Sequence, residues 1–483
     1  MLSVGKGEKM EKLRKKSSLS PYLLVILSFA VVIIIGSFLL VTPFAQASGK
    51  WAFNYIADDG SRVTYLDCLF TAVSATCVTG LCTFVSGIGD TLSFVGQLVV
   101  LVMIQIGGLG FITVLTFIFT LFRSKLQFKN RFFLSQALNV TNFADVIIFV
   151  RRIIVISFVA ELTGFLIGLP VAFTLYQGEP TKALWSSLFT SVSAFNNAGF
   201  DIFGNDSLIA DVGTVMGGLK EAHTWAYYYY LCYIMGLVII GGISFMVIIE
   251  VFSFKKTPRQ YSAFTKIVLT TTISLLVFGS VIFYLTEHVI NGAENFTTFD
   301  AIFQSVTCRT AGFSSYDQSK LTTAGKTISC FLMFIGGSPL STAGGIKTTT
   351  FFIVTLAMFS HLRGKNVVAF NRAYNSNTVL KGMTLMITAF LACMIAFVGV
   401  SAFEKGKPEI TMDKVFFETF SAFGTVGLSA NLTPLLSDGS KIILCIIMFL
   451  GRLGPMTFFQ VFKNSNENTT GHFEYVEADF LVG

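Results

Sequence analysis

The segment Cys77-Val78-Thr79-Gly80-Leu81 has three counterparts further along the chain. They read Asn196-Asn197-Ala198-Gly199-Phe200, Arg309-Thr310-Ala311-Gly312-Phe313 and Gly424-Thr425-Val426-Gly427-Leu428. The four glycines recur about every 115 residues, which indicates one structural unit used four times. Membrane proteins surround an ion with backbone carbonyls by means of such glycine-bearing re-entrant loops, so the four segments predict an ion pathway.

The composition is that of a membrane protein. Hydrophobic residues make up 53% of the chain and charged residues 13%, against about 25% charged residues in a typical soluble protein. Several apolar stretches are long enough to cross a bilayer core of about 30 Å. Examples are Leu23 to Val41, Leu92 to Phe122 and Ile267 to Leu285.

Basic and acidic residues alternate between successive loops. The basic clusters are Lys6 to Lys16, Arg123 to Arg131, Lys255 to Arg259 and Arg363 to Lys381. The opposite loops carry Asp58, Asp59, Glu179, Asp201, Asp206, Asp211, Glu294, Asp300 and Asp317. By the positive-inside rule, we expect the basic clusters and both termini on the cytoplasmic side of the membrane. The net charge of +7 is therefore not a nucleic-acid signature.

A short apolar run precedes each glycine segment. The runs are Leu66 to Ala75, Trp185 to Ala194, Phe299 to Cys308 and Val415 to Phe423. A helix that ends at mid-membrane must face protein or water, and its C-terminal partial charge favours a cation. The predicted fold is therefore an all-α membrane protein with eight transmembrane helices. Four repeats surround one central pore, as in potassium channels. Each repeat consists of a helix, a short pore helix, a filter segment and a second helix.

This organisation predicts a division of the chain into six parts. They are a basic cytoplasmic tail at 1–20, pore repeats at 21–130, 131–258, 259–375 and 376–463, and a cytoplasmic tail at 464–483. The third repeat carries an interrupted apolar segment, Gly336 to Gly345, with four glycines and Pro339. Proline and glycine exclude a regular helix there, and a non-helical backbone at membrane depth is tolerated where it lines a cavity. We interpret this segment as an intramembrane gate, with a helix kink that has no moving part as the alternative.

Four features resemble the Trk/Ktr/HKT superfamily of potassium transporters. One span precedes the first filter, and the third filter reads Cys308-Arg309-Thr310-Ala311-Gly312-Phe313. The third lining segment contains Gly336-Gly337-Ser338-Pro339-Leu340-Ser341-Thr342-Ala343-Gly344-Gly345-Ile346-Lys347-Thr348, and the last contains Gly451-Arg452-Leu453-Gly454-Pro455. Within the superfamily, the chain is most similar to the KtrB-type membrane subunits of bacterial Ktr potassium uptake systems. The family usually has smaller residues where Leu340 and Ser341 stand.

The resemblance implies potassium uptake through one pore in each subunit of a homodimer. It also implies regulation by a cytoplasmic nucleotide-binding ring of the KtrA type. Potassium is then the transported substrate, sodium dependence stays open, and no organic cofactor is expected. The chain has no phosphate loop of the Gly-x-x-x-x-Gly-Lys-Ser/Thr kind. A membrane potential can drive uptake instead, since it supplies about 2.3 kcal/mol per charge per 100 mV.

The four filters are expected to bind potassium through backbone carbonyls. The residues assigned to them are Cys77, Val78, Thr79, Gly80, Asn196, Asn197, Ala198, Gly199, Arg309, Thr310, Ala311, Gly312, Gly424, Thr425, Val426 and Gly427. Glycine tolerates the dihedral angles that turn every carbonyl inward. Glycine in all four filters resembles potassium-selective members of the family, and serine in the first filter resembles sodium-transporting ones. The alternative is helix packing by small residues.

Charged residues inside apolar segments are the other candidates. The gate is assigned Gly336, Gly337, Ser338, Pro339, Gly344, Gly345, Lys347 and Arg452. A charge at membrane depth usually faces a cavity or a partner. Arg452 either repels cations at a closed gate or holds its helix through an ion pair or backbone carbonyls. Arg309 is expected to be structural. Glu161 is expected either to bind a coupling ion or proton or to pair with a basic residue. Asn196 and Asn197 are expected to brace the second filter by hydrogen bonds.

Besides a non-transporting scaffold, which would leave the four glycine segments unexplained, two rival functions follow from the same residues. One is a sodium- or proton-coupled cation translocator, which differs in the ion and which a flux assay would separate. The other is a polytopic membrane enzyme, which requires a convergent catalytic cluster near the membrane face. The sequence shows no such cluster, so we expect a transporter and not an enzyme.

Overall fold

The protein is described by a computed structural model that covers residues 21–56, 62–110, 145–204, 208–209, 214–253, 257, 260–293 and 295–454. Several predicted features lie outside these residues. They are the tails at 1–20 and 464–483, the basic cluster Arg123 to Arg131, most of the cluster Lys255 to Arg259, and the acidic residues Asp58, Asp59, Asp206, Asp211 and Glu294.

Helices α1 to α9 belong to the first two repeats. The first repeat contains α1 (Pro21–Val41), α2 (Tyr65–Cys77), α3 (Gly87–Thr91) and α4 (Phe94–Leu109). The second contains α5 (Asp145–Leu175), α6 (Pro180–Phe195), α7 (Val215–Ala222), α8 (Thr224–Gly242) and α9 (Phe245–Val251). An antiparallel hairpin of β1 (Asn54–Ile56) and β2 (Arg62–Thr64) precedes α2 and pairs Tyr55 with Val63.

Helices α10 to α16 belong to the last two repeats. The third repeat contains α10 (Ala263–Phe283), which continues as a π-helical stretch over Tyr284–Ile290, α11 (Thr298–Thr307), α12 (Thr323–Phe334) and α13 (Thr348–Leu362). The fourth contains α14 (Ser376–Phe403), α15 (Met412–Gly424) and α16 (Asp438–Leu453). A second hairpin, β3 (Val368–Ala369) with β4 (Arg372–Ala373), joins α13 to α14.

Four helices of the described chain are long and apolar enough to cross a membrane. They are Ile148–Leu175, Thr224–Gly242, Ala263–Ile290 and Ser376–Phe403. Shorter apolar helices include Val25–Val41, Phe94–Leu109 and Thr348–Leu362. Helices α2, α6, α11 and α15 have 13, 16, 10 and 13 residues, fewer than the roughly 20 that a span requires. The predicted short helices are therefore present in all four repeats.

Helices of the four predicted repeats contact one another in a closed cycle. Helix α4 of the first repeat contacts the short helix α6 of the second, and α8 contacts α11 of the third. Helix α12 then contacts α15 of the fourth repeat, and α16 returns to α2 of the first. The ends of the described chain are thus brought together, and the four short helices surround a common centre.

A phenylalanine at the same place in each short helix forms part of the core. Phe70, Phe189, Phe303 and Phe417 are at most 2% exposed. Each lies nine or ten residues before the glycine of its own filter. Burying one such ring stabilises the fold by about 1.5–3 kcal/mol relative to an exposed one, so these residues fix the short helices behind the glycine segments.

Candidate functional site

Where each short helix ends and its glycine segment begins, the backbone adopts the left-handed conformation. The residue two places before the glycine has φ of 59° at Val78, 59° at Asn197, 67° at Thr310 and 50° at Thr425. The glycines Gly80, Gly199, Gly312 and Gly427 follow with φ of 99°, 70°, 82° and 94°. Side chains rarely adopt these values, and β-branched ones least of all. Four segments with unlike sequences therefore share one backbone path.

The four glycines meet in a ring. A Cβ atom added at Gly80 would overlap the carbonyl oxygen of Ala198, and one at Gly199 would lie 2.7 Å from Cα of Gly312. One added at Gly312 would overlap the carbonyl oxygen of Val426. One added at Gly427 would overlap the carbonyl oxygen of Thr79, which closes the ring back at the first segment. Only glycine leaves room for this approach.

Backbone hydrogen bonds attach each segment to its own short helix. The amide of Thr79 donates to the carbonyl of Ser74 at 2.8 Å, and the amide of Ala198 donates to Ser193 at 2.8 Å. The third and fourth segments repeat this bond. There, Ala311 donates to Thr307 at 3.0 Å and Val426 donates to Ser421 at 2.9 Å. The segments are therefore held from behind, and their carbonyl oxygens lie at the contacts between neighbouring segments.

A cavity of about 430 Å³ opens on one side of the ring. All four ring glycines line it, together with residues that follow them in the chain. Asp201 and Asp317 contribute carboxyl groups to its wall. These two residues belong to the loops predicted to face outward, so negative charge stands at this entrance to the ring.

On its other side, the ring contacts the interruption between α12 and α13. The interruption spans Ile335 to Lys347, in agreement with the glycine and proline pattern. A Cβ added at Gly344 would overlap the side chain of Thr425 in the fourth segment. The two ends of the interruption lie side by side, because the amide of Ile346 donates to the carbonyl of Phe334 at 3.2 Å. The chain therefore makes a compact loop against the ring, which we call the α12–α13 loop.

The α12–α13 loop also fits into a break in the second repeat. The apolar run of that repeat is divided at Ile243 and Ser244 into α8 and α9. The amide of Ser338 donates to the carbonyl of Gly242 at 3.0 Å, and Thr342 Oγ1 donates to that of Gly241 at 2.9 Å. In return, the amide of Phe245 donates to the carbonyl of Leu340 at 2.9 Å. Backbone groups that lack a helical partner at each break thus form hydrogen bonds with the other break.

Three cationic side chains from different elements bind carbonyls of this loop. Arg309 Nη2, at the base of the third segment, donates to Gly336 at 3.1 Å. Arg452 of α16 donates to the carbonyl of Thr342, and also to Gly107 at the end of α4. Lys347 Nζ donates to Ala343 at 2.7 Å. Of the alternatives for Arg452, the geometry therefore supports carbonyl binding, and it places that charge on the loop.

Leu340 has φ of 55°. This left-handed conformation favours glycine over a branched residue. Ser341 donates from its hydroxyl to the carbonyl of Ser338 at 2.7 Å, which closes a turn at the same place. Of the two positions noted as departures, Leu340 therefore adds backbone strain to the loop.

Asn196 and Glu161 are joined by amide hydrogen bonds. Asn196 Nδ2 donates to Gln105 Oε1 at 2.8 Å and to Glu161 Oε1 at 3.1 Å. Gln105 Nε2 donates to Glu161 Oε1 at 2.8 Å. The expected brace at Asn196 is present. No ion pair joins Glu161 to a basic residue among the residues that the structure describes. Sequence reasoning missed Gln105, which has no motif of its own.

In α4, α8 and α16, the helices that follow three of the glycine segments, a glycine packs against the end of a short helix. A Cβ added at Gly107 would overlap the carbonyl oxygen of Thr76. Equivalent overlaps occur between Gly241 and Phe195 and between Gly451 and Phe423. The close approach explains why a glycine stands at this depth in three repeats, and it brings each second helix directly under its segment.

A mainly helical chain with membrane-spanning segments and a four-segment glycine ring defines a membrane protein of the ion-transport class. Comparison with known families agrees, because the model of the TrkH family of cation transport proteins matches residues 31–469. The chain therefore belongs to the TrkH family of cation transport proteins. This confirms the resemblance to the Trk/Ktr/HKT superfamily that the filter and loop motifs indicated.

Individual relatives cover nearly the whole chain. The potassium/sodium uptake protein NtpJ of Enterococcus hirae is 34% identical over 478 residues, which is 98% of this chain and 99% of that protein. The Ktr system potassium uptake protein B of Bacillus subtilis is 33% identical over 479 residues, again 98% and 99% of the two chains. The crystal structure of the potassium transporter TrkH from Vibrio parahaemolyticus matches with a TM-score of 0.67 at 17% identity, over 92% of this chain and 85% of that one.

Proposed function

We propose that this protein takes up potassium across the bacterial cell membrane through one pore per chain. The observation that carries the proposal is the ring of Gly80, Gly199, Gly312 and Gly427. Relatives that share a third of their residues over the full length are named as potassium or potassium/sodium uptake proteins. In this proposal the chain has eight transmembrane helices in four pore repeats at 21–130, 131–258, 259–375 and 376–463, with both termini cytoplasmic.

In this proposal, the ring is the selectivity filter. Carbonyl oxygens of four convergent segments replace the water shell of a potassium ion. Four short helices point their C-terminal ends toward the ring, and their partial negative charge favours a cation there. Membrane potential drives the ion inward at about 2.3 kcal/mol per charge per 100 mV. This mechanism requires no catalytic residue and no organic cofactor.

The α12–α13 loop acts as the gate in this proposal. It touches Thr425 at the ring, and Arg309, Lys347 and Arg452 bind its carbonyls. Three positive charges at this depth repel a cation as long as the loop stays in place. Displacing the loop removes both the steric block and the carbonyls that hold the charges, so opening is a local rearrangement with a large effect on flux.

We propose that the chain works as a homodimer with a cytoplasmic nucleotide-binding subunit of the KtrA type. The support is that several relatives are named as parts of a Ktr system. Purification of the complex from its native host should recover two copies of this chain with a second polypeptide. Recovery of the membrane chain alone under nucleotide saturation would contradict the assembly, while leaving the ion pathway unaffected.

Growth of an uptake-deficient bacterium in potassium-limited medium tests the function. Expression of this chain with a Ktr regulatory subunit should restore growth and rubidium uptake, and Gly199→Ala should abolish both. Gly218→Ala is a matched control, because Gly218 lies in α7 with nothing within 4 Å of an added Cβ. If Gly199→Ala reaches the membrane and transports like the parent protein, the ring is not the pathway.

Sodium is the second candidate substrate. The name of the Enterococcus relative includes it, whereas glycine at position 80 resembles potassium-selective members of the family. Parallel uptake measurements with potassium and sodium, each alone and together, separate potassium uptake that sodium stimulates from sodium transport in its own right.

A further inference from the structure

A groove between α10, α13 and α14 lies apart from the ion pathway. It encloses about 540 Å³, within the range of about 300–1,000 Å³ that small-molecule sites occupy. Most of its wall is apolar, and the larger side chains are Phe264, Ile267, Phe352, Ile353 and Leu385. Arg372 and Lys381 also line it. The groove therefore combines a hydrophobic surface with two cationic groups.

Close packing of its three helices and of a hairpin shapes this groove. A Cβ added at Gly382 of α14 would lie 3.1 Å from Ile353 and 3.3 Å from Val354 of α13, so the two helices touch there. The hairpin of β3 and β4 turns at Phe370 and Asn371, both with positive φ. Phe370 stacks on Phe352 of α13 with ring centroids 6.4 Å apart. This contact holds the hairpin, and Arg372 with it, beside the groove.

The positive charge of the groove is not neutralised within the described chain. Neither Arg372 nor Lys381 forms an ion pair with a carboxylate among the residues the structure describes. From Gly345 to Phe403 the sequence contains five Lys and Arg residues and no Asp or Glu. An anionic partner is therefore the complement that this surface lacks.

The depth of the groove indicates what kind of anion fits. Helix α14 begins at Ser376, and it is long and apolar enough to span a membrane. Lys381 lies about 8 Å along that helix, at 1.5 Å per residue, where a lysine extends its amine back toward the headgroups. A soluble phosphate would leave the apolar wall uncovered, and a lipid without net charge would leave the positive charge of the groove uncompensated.

We propose that this groove binds one anionic phospholipid, with the phosphate at Arg372 and Lys381 and the acyl chains along the apolar wall. A nearby cavity of about 370 Å³ shows the contrast. It is lined by Phe334, Val354, Met383, Met386, Ile387, Phe390 and Leu391 and has no charged residue. Acyl chains fill such a gap whatever the headgroup of the lipid. The basic groove, in contrast, selects lipids by the charge of the headgroup.

Native mass spectrometry of the delipidated full-length protein tests the site. The probes are phosphatidylglycerol and phosphatidylcholine with the same acyl chains, supplied together. The parent protein should prefer phosphatidylglycerol. The double variant Arg372→Gln with Lys381→Gln should lose about 30-fold in affinity for it, the amount expected for two basic groups near a lipid surface. Leu385→Trp, which fills the groove without changing charge, should lower binding as well.

Arg363→Gln with Lys365→Gln is the matched control. It removes the same charge from the same segment, but neither residue lines the groove. Equal binding of the two lipids to the parent protein would overturn the proposal, and so would an equal loss in the control variant. Competition by free glycerol phosphate would reassign the site to a soluble ligand. Binding seen only on the monomer would mean that a second copy of the chain covers the groove. Transport is not measured, so the result is independent of the proposed potassium uptake.

Discussion

At the residue scale, the glycine ring depends on conformations that most side chains avoid. Val78, Thr310 and Thr425 are β-branched and still lie in the left-handed region. Such strain costs on the order of 1–3 kcal/mol per residue and persists only where the surroundings impose it. Here the bond to the short helix on one side and the neighbouring glycine on the other impose it. Strain of this kind at three of four equivalent places is typical of a functional site.

Gly80→Ser is expected to weaken discrimination against sodium. The new Cβ overlaps the carbonyl of Ala198, so the ring must widen or twist at this contact. We expect the ratio of potassium to sodium uptake to fall on the order of tenfold, which corresponds to about 1.4 kcal/mol of lost discrimination. Uptake of both ions by the same cells provides the measurement.

Gly218→Ser is the control for this substitution, because the same atoms are added where nothing lies within 4 Å. An unchanged ratio in Gly80→Ser, in protein that reaches the membrane, would remove the first segment from the filter.

Glu161 offers a second test at the residue scale, because its two roles predict different results. As a brace it accepts hydrogen bonds from Gln105 and Asn196, and glutamine at this position can still accept them. Glu161→Gln should therefore keep uptake near the parent level. Glu161→Ala leaves buried donors unpaired at a cost of about 1–3 kcal/mol and should lower both uptake and thermal stability.

If Glu161→Gln abolishes transport in correctly inserted protein, the carboxylate carries a coupling ion or a proton. Uptake assayed over a range of external pH and sodium concentration then identifies which of the two.

At the scale of elements, the helix that follows each glycine segment ends near the ring. Helix α4 ends at Leu109 before Gly110 with φ of 79°, and α16 ends at Leu453 before Gly454 with φ of 81°. Helix α8 ends at Gly242, and α12 ends at Phe334. A regular helix at this depth would prevent the α12–α13 loop from reaching the carbonyls it binds. A helix end at this depth is therefore shared by the described parts of all four predicted repeats.

Shortening the α12–α13 loop should raise flux and leave ion preference intact. Removal of 338–343 joins Gly337 to Gly344, two residues that already lie close, since a Cβ added at Gly337 would overlap Ala343. The filter is not altered, so discrimination between potassium and sodium should persist while the maximal uptake rate rises several-fold. Arg452→Gln should have a similar but smaller effect, because two other cations stay on the loop.

Initial rates of rubidium uptake at equal surface expression measure both changes. Loss of uptake on loop deletion, in protein that still reaches the membrane, would show that the loop supports the pore instead of closing it.

At the scale of the whole molecule, ion pairs link successive repeats. Lys326 of α12 pairs with Asp413 of α15 at 2.8 Å, and Lys441 of α16 pairs with Asp67 of α2 at 2.7 Å. The second pair joins residues 374 positions apart and connects the last repeat to the first. Between the first two repeats, Trp185 Nε1 donates to Gln97 Oε1 at 2.7 Å in place of an ion pair.

Asp67→Asn should strongly destabilise the closed arrangement. The side chains of Lys441 and Asp67 are 10% and 4% exposed, and removing one partner of a buried pair costs about 3–5 kcal/mol. We expect a clear fall in the midpoint of thermal unfolding in detergent. The double variant Asp67→Asn with Lys441→Met should recover much of it, because no buried charge is then left unpaired.

The exposed pair of Glu179 and Lys182 serves as the control, with side chains 54% and 67% exposed. Exposed pairs contribute about 0–1 kcal/mol, so Glu179→Gln should leave the midpoint nearly unchanged. Equal effects at the two sites would contradict a special role for the contact between the last and first repeats.

The sequence alone determined the class of protein, the four repeats and the glycines that the ring requires. Long apolar runs, short runs before each Gly and the interruption at 336–345 are local patterns, and local patterns are read directly from residue order. The partners of Arg309, Glu161 and Arg452 could not be predicted in this way. Each partner is a backbone carbonyl or an amide, and every residue in the chain carries a backbone carbonyl.

Only the tertiary structure decided which of those groups meet. Gln105, Asn196 and Glu161 come from three elements, and Lys441 finds Asp67 from the other end of the chain. These contacts depend on how four unlike repeats close into one ring, and that closure sums many packing contacts at long sequence separation. The sequence determines this closure, but the closure cannot be read from the sequence, because contacts between distant segments leave no period or motif in either segment.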